Sequence, residues 1–182
     1  MKQDFLIRER YIITNSKSGI LIIDSKRAQQ RIDYDQIMNQ FVSTPMESQK
    51  RLFPLDVALS KDEISAWTAS KNLLKQLGFQ FQLEREELIF DHVPSCLNHK
   101  NTDECIKKIT QALMVEQSEK GELAHEIVLQ MIQTNTPIYS FNTSHEIQDF
   151  IEKLFSHAEH SFCPFGKPIM QTGSIEELTS KF

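Results

Sequence analysis

Residues Gly19 to Asp24, Gly-Ile-Leu-Ile-Ile-Asp, constrain this chain more than any other stretch. A glycine and four aliphatic residues in a row suit a strand buried on both faces. The run ends on a carboxylate, and an amphipathic segment begins at once. Asp24 therefore falls at the end of a strand and at the N-cap of a helix, where an acid accepts backbone N–H bonds. Carboxylates at strand ends also do chemistry, so the residues around Asp24 decide between scaffold and catalyst.

The flanking pattern sets the fold class. Residues 5–14 alternate in the period-2 manner of a strand, and Asn15 to Gly19 form a turn, so 5–24 reads as a hairpin. A helix follows from Ser25 to Val42, with Ala28, Ile32, Ile37, Met38 and Phe41 on its apolar face. Ser43-Thr44-Pro45 ends it. An extended run from Gln49 to Leu59 leads to Ser60-Lys61-Asp62-Glu63, a capping box. The helix it opens carries Ile64, Trp67, Leu73, Leu74 and Leu77, and Gly78 sits at C′. Phe79 to Phe90 form a second hairpin, closed by Pro94. Helices are expected after a cap at Thr102, around Leu123 to Ile132 and, after a capping box at Thr143-Ser144-His145-Glu146, from Ile147 to Phe155. A short strand at Ile169-Met170 and a helix opened by Ser174 and running to Phe182 complete the chain. The fold class is α+β. Residues 55–117 form an inserted block, flanked by 1–54 and 118–182.

Composition narrows function. The 182 residues allow one large or two small domains. A net charge of −5 argues against a chain-wide grip on nucleic acid. No apolar run reaches the ~20 residues of a membrane span, so no membrane role is expected. Cys96, Cys105 and Cys163 are odd in number and lack CxxC spacing, which points to reduced thiols. Met1 to Phe5 lacks the start of a signal peptide, and the expected location is cytoplasmic.

Three segments together resemble the C-terminal domain of MutL, the DNA mismatch-repair protein. The first is Tyr11 to Asn15 through Gly19 to Asp24 and Ala28 to Tyr34. The second is Leu52-Phe53-Pro54-Leu55 with Leu59 to Glu63 and Leu77-Gly78-Phe79. The third is Cys163-Pro164-Phe165-Gly166-Lys167-Pro168 with Glu176-Glu177-Leu178 and Phe182. The resemblance implies a dimerisation lobe built from both chain ends and an external lobe inserted between them. It also implies an N-terminal ATPase domain that binds ATP in the full-length protein. Nothing here matches that domain, so the chain reads as a fragment with Met1 as an added start and no cofactor of its own.

Many members of the family are metal-dependent nicking endonucleases. Their motif runs Asp-Gln-His-Ala, two residues, Glu, four residues, Glu, and a second reads Cys-Pro-His-x-Arg-Pro. Histidine, cysteine and carboxylate hold a metal that activates water and neutralises phosphate charge. Here Asp24 is retained. Ser25, Lys26 and Arg27 replace glutamine, histidine and alanine, Gln30 replaces the first glutamate, and Asp35 is a shorter second acid. Cys163 remains, but Phe165 stands at the histidine. Lysine, glutamine and phenylalanine are not replacements for those ligands, and Lys26 puts a positive charge where a cation would bind. The expected site is therefore degenerate. Asp24 is read as an N-cap paired with Lys26 or Lys167. The sharper alternative is a shifted metal site of Asp24, His125 and Cys163. His157 and His160, with Glu152 and Glu159, read as a solvated helical face, and Cys96 and Cys105 as small buried groups.

Gln49, Leu52 and Pro54 form a Gln-x-x-Leu-x-Pro pattern similar to the peptide by which MutL proteins contact the sliding clamp. In the alternative reading these residues belong to a core strand in which Leu52 and Pro54 pack. Three functions follow. The first is a homodimerisation and partner-docking module without a working nuclease, contacting the clamp and other repair proteins and meeting DNA indirectly or weakly. The second is a divergent metal-dependent endonuclease using Asp24, Asp35, His125 and Cys163. The third is an unrelated α+β adaptor. The first hairpin and the C-terminal helix are the candidate dimer interface.

Overall fold

The computed structural model describes residues 5–7, 10–16, 19–85, 87–97, 101–115, 120–136, 140–174, 176 and 179–180. The chain divides into two compact units. One comprises residues 1–35 and 136–182, the other residues 36–135.

The first unit is built on an antiparallel sheet of order β1-β2-β3-β7. Its strands are β1 (Phe5–Ile7), β2 (Tyr11–Ser16), β3 (Gly19–Asp24) and β7 (Met170–Ser174). The stretch expected as one strand from Phe5 to Thr14 is two strands, and Ile7 opposes Tyr11 across a reversal. The hairpin β2–β3 pairs Ile12 with Ile23 and Thr14 with Leu21. Strand β7 adds to the other edge of β3 and pairs Ile23 with Met170 and Gly19 with Ser174. Gly19 is required there, because a Cβ would lie 2.0 Å from the Gly173 carbonyl oxygen.

Helix α1 (Ser25–Ser43) starts directly after β3. Its buried Ala28 and Ile32 join Ile12 and Ile23 of the sheet, with Cys163 and Ile169, to form the core of this unit. Helix α6 (Ser144–Phe155) contributes Ile147, Phe150 and Leu154 at i, i+3 and i+7. Phe155, expected on the same apolar face, is instead exposed and packs against the His160 ring. Thr143 caps the helix by accepting from the Glu146 N–H. The reciprocal bond of the expected box is displaced by one residue, since Glu146 accepts from Asn142 N rather than Thr143 N. The expected C-terminal helix falls largely outside the described residues, among which Ser180 N donates to the Glu176 carbonyl.

The second unit holds a sheet of order β4-β6-β5, formed by β4 (Ser48–Val57), β5 (Gln80–Glu84) and β6 (Glu87–Pro94). Residues 48–50, assigned to the flanking lobe from sequence, are thus paired within this sheet. Ser60 and Glu63 form the full capping box of α2 (Lys61–Ala69). The helix expected to continue to Leu77 breaks at Ser70, whose ψ of 7° leaves helical geometry before α3 (Lys71–Gln76). Gly78 then adopts a φ of +90°, and a Cβ there would press to 3.2 Å on Glu47 O and Pro94 Cα.

Helices α4 (Thr102–Leu113) and α5 (Lys120–Asn135) pack together, and α2 packs on α4. Thr102, expected as the cap of α4, is its first helical residue; Asn101 holds the cap position. At the centre, the Trp67 ring meets Phe79, Phe81 and Phe90 edge to face, at centroid distances of 6.1, 5.4 and 5.1 Å. The indole N–H donates to Thr110 Oγ1 at 2.9 Å, and Thr110 donates in turn to the Ile106 carbonyl. Replacing Thr110 by Val keeps the shape but strands the buried indole donor. Urea denaturation of Thr110→Val should show a loss of about 1–3 kcal/mol; an unchanged midpoint would mean that the bond contributes nothing.

Candidate functional site

Asp24 ends β3 and is 5% exposed. Its backbone N–H donates to the Ile169 carbonyl at 2.8 Å, which fixes the carboxylate beside the segment leading into β7. One oxygen, Oδ1, accepts the Arg27 backbone N–H at 3.1 Å, the N-cap bond expected of a residue at this position. The other, Oδ2, lies 2.8 Å from Arg10 NH2 and 3.4 Å from Arg27 Nε. The Asp24 carboxylate raises the pKa of the Arg10 guanidinium, first through their hydrogen bond and then through charge.

The pairing with Lys26 or Lys167 expected from sequence is therefore replaced by pairing with Arg10 and Arg27. The reason is register. Asp24 opposes Tyr11 across the hairpin, so Arg10 is one residue from its partner. Arg27 sits one turn into α1, and its NH1 donates to the Pro168 carbonyl at 2.7 Å. Ser25 locks the junction by bonding the Arg10 carbonyl through both its N–H and its hydroxyl. Both arginines were legible as charges in the sequence, but the hairpin register that delivers Arg10 was not.

Asp35 is held separately. Its Oδ1 accepts from Arg31 NH1 at 3.0 Å, an i,i+4 pair on α1, and its Oδ2 lies 2.8 Å from His157 Nδ1. Arg31 Nε also donates to the Phe162 carbonyl. His157 and His160 thus lie beyond the end of α6 and do not share a solvated helical face. The His157 side chain is 14% exposed and in hydrogen-bond contact with Asp35, and His160 Nδ1 contacts the His157 carbonyl. Glu159 accepts from the N–H groups of Ser161 and Phe162, which hold its carboxyl below the usual range.

The remaining motif positions are distributed as follows. Lys26 is half-buried and Gln30 is buried. Cys163 lies in the core of the first unit with Phe165 packed against that core. The turn between them closes through Gly166, at a φ of +71°, with Gly166 N donating to the Cys163 carbonyl. A cleft of about 210 Å³ beside Asp24 is lined by Arg27, Tyr11, Ile22 and residues 168–171, and not by Cys163. His125 is exposed on α5 of the second unit. Among the described residues, no three His, Cys, Asp or Glu side chains gather as metal ligands. Of the two cysteines expected to be buried, only Cys105 is; burial pushes its thiol up to about 11. Cys96 is exposed in the turn after β6.

The Gln-x-x-Leu-x-Pro pattern lies on β4, an edge strand. Lys50 opposes His92 and Leu55 opposes Phe90, so the four residues Arg51 to Pro54 stand against Asp91 alone. Leu52 and Phe53 protrude on this bulge, 88% and 76% exposed, and Pro54 is exposed with them. The alternative of a packed core strand is overturned, because a bulge this long lifts its side chains off the sheet. Gln49 is tied down instead, donating to the Leu97 carbonyl at 3.1 Å.

Residues 5–140 match the family model described as MutL C terminal dimerisation domain. The chain belongs to this family. Among curated relatives named DNA mismatch repair protein MutL, that of Christiangramia forsetii is 26% identical over the whole of this chain and 30% of its own length. The protein of Kosmotoga olearia is 27% identical over 96% of this chain and 29% of its own. That of Coxiella burnetii is 25% identical over 94% and 31%. The chain thus spans about 30% of the relatives it matches. Membership in the MutL C-terminal family removes the reading of an unrelated α+β adaptor. Among the described residues no helix is long and apolar enough to cross a membrane.

The arrangement around Asp24 makes a graded stability prediction. Asp24→Ala removes both the cap and the arginine partner and should cost about 2–3 kcal/mol in chemical denaturation. Asp24→Asn keeps a capping oxygen and should cost about 1 kcal/mol. Equal losses in the two variants would assign the whole effect to charge and none to the cap.

Proposed function

We propose that this chain is the homodimerisation and partner-docking module of a cytoplasmic MutL mismatch-repair protein, and that its endonuclease site does not work. The observation that carries the dimer reading is the outer face of the first sheet. Ile12, Thr14, Leu21 and Ile23 turn toward the core, so strand alternation turns Ile13, Ile20 and Ile22 the other way. These three are only half-buried, and Tyr11 beside them is 38% exposed. An aliphatic face of this kind fits a two-fold interface between copies. Joining two ATPase arms through such a face would make their closure intramolecular. Wild-type protein should sediment as a dimer at micromolar concentration, and Ile22→Arg should shift it to monomer. A wild-type monomer at high micromolar concentration would refute the dimer.

The absence of catalysis is supported by what surrounds the retained acids. Asp24 is paired with Arg10 and Arg27, and Asp35 with Arg31, its other oxygen lying in hydrogen-bond contact with His157. A cation bound there would meet guanidinium charge already in place. The competing reading, a divergent nicking endonuclease using Asp24, Asp35, His125 and Cys163, is tested on supercoiled plasmid with manganese. No nicking above background is expected. Manganese-dependent nicking that Asp24→Asn abolishes would establish the enzyme.

The bulge on β4 supports docking to a sliding clamp. Leu52 is available to fill an apolar pocket, Pro54 stiffens the chain, and Lys50 and Arg51 suit an acidic rim. Gln49 would have to exchange its bond to Leu97 for one to the partner, which predicts weak affinity. Gln49→Ala with Leu52→Ala should abolish clamp binding in surface plasmon resonance; unchanged affinity would discard the assignment. Contacts with other repair proteins, and a weak or indirect contact with DNA, belong to the same reading.

A further inference from the structure

The second unit carries a concentration of positive charge that dimerisation does not use and that clamp docking uses only at Lys50. An open pocket of about 440 Å³ is rimmed by Lys50 of β4, Lys71 and Lys75 of α3, and His92 of β6. Lys71 and Lys75 are one turn apart and so project from the same side of α3. Lys50 and His92 are cross-strand partners. The three ammonium groups come from two elements that the fold sets around one concavity.

None of these lysines has a carboxylate within ion-pairing distance among the described residues. Lys71 Nζ lies over the Phe81 ring, 5.8 Å from its centroid. Asp91 also lines the pocket, and its carboxylate accepts from Gln82 Nε2 at 3.1 Å. The lining therefore carries three positive charges and one negative, before any proton on His92. His92 Nδ1 is buried and has no hydrogen-bond partner among the described residues. Two like charges at i,i+4 and an unpaired buried ring nitrogen both cost stability. An anion in the pocket would relieve the repulsion between the lysines.

We infer that this pocket binds a phosphate oxyanion, presented by a nucleic-acid strand or by a free polyphosphate. Lysines arranged as separate point charges suit phosphate, whereas carboxylate recognition favours the paired donors of arginine. The aromatic residues of the pocket do not offer stacking surfaces, since Phe79 is 1% and Phe81 6% exposed. Recognition is thus of charge and not of base. The pocket shares Lys50 with the clamp-docking segment, and the two readings are separated by Lys71 and Lys75, which lie outside Gln49–Pro54.

The test is titration of the isotopically labelled full chain with two probes, sodium pyrophosphate and a 12-nucleotide oligo-dT. Lys71→Glu/Lys75→Glu is the disabling variant, and Lys107→Glu on α4 controls for charge reversal outside the pocket. Lys71, Lys75 and Lys107 are exposed, and an unchanged melting temperature verifies that each variant folds. The amide signals of Gln82 and His92 should move with at least one probe. The double variant should bind at least tenfold more weakly, and Lys107→Glu as wild type. Oligo-dT binding with a log–log salt slope near −2, about three strand phosphates, identifies a nucleic-acid source. Pyrophosphate that binds as tightly and displaces the oligonucleotide identifies a free polyphosphate. The inference fails if neither probe moves the pocket signals, or if the double variant binds as wild type.

Discussion

The buried carboxylate of Asp24 is the joint on which the first unit depends. It caps α1, binds two arginines and, through its backbone, holds the carbonyl of Ile169 ahead of β7. Four pieces of chain meet at one residue: the start of β2, the end of β3, the start of α1 and, from far along the sequence, the approach to β7. A buried acid without these partners would be strongly destabilising. The surrounding residues thus satisfy its charge by internal pairing. This is a physical reason for an acid to persist at a strand end whether or not a metal is bound beside it.

How much was legible in the sequence follows from how local each signal is. The β2–β3 hairpin, the capping box at Ser60-Glu63 and the C′ glycine at Gly78 depend on neighbouring residues, and the structure has all three. Division of the first strand, the break at Ser70 and the start of α4 at Thr102 depend on packing that periodicity does not encode. The same distinction separates the site residues. The N-cap role of Asp24 is local and was readable, whereas the arginines it pairs with follow from cross-strand register. His157 looked like surface because its partner, Asp35, is 122 residues away.

The two edge features of the second unit show how one sheet separates tasks. On β4, three surplus residues push Leu52 and Phe53 off the ladder, which also makes the edge a poor template for further strand pairing. Immediately before the bulge, regular pairing of Lys50 with His92 resumes and sets charge around a concave floor. Apolar reach and positive charge therefore occupy successive positions of one strand, separated by the point where its register slips.

The placement of β7 has a consequence for biosynthesis. Strand β3 finds its second neighbour only at Met170–Ser174, close to the C-terminus of the chain. During translation the hairpin β2–β3 must wait for about 145 further residues, roughly 7 to 30 s at ordinary elongation rates. Through that interval an aliphatic edge, Ile20 to Ile23, is open to pairing with any nascent chain nearby. Truncations that remove β7 should therefore be damaging first through aggregation on the ribosome, before any loss of function in the folded protein is felt.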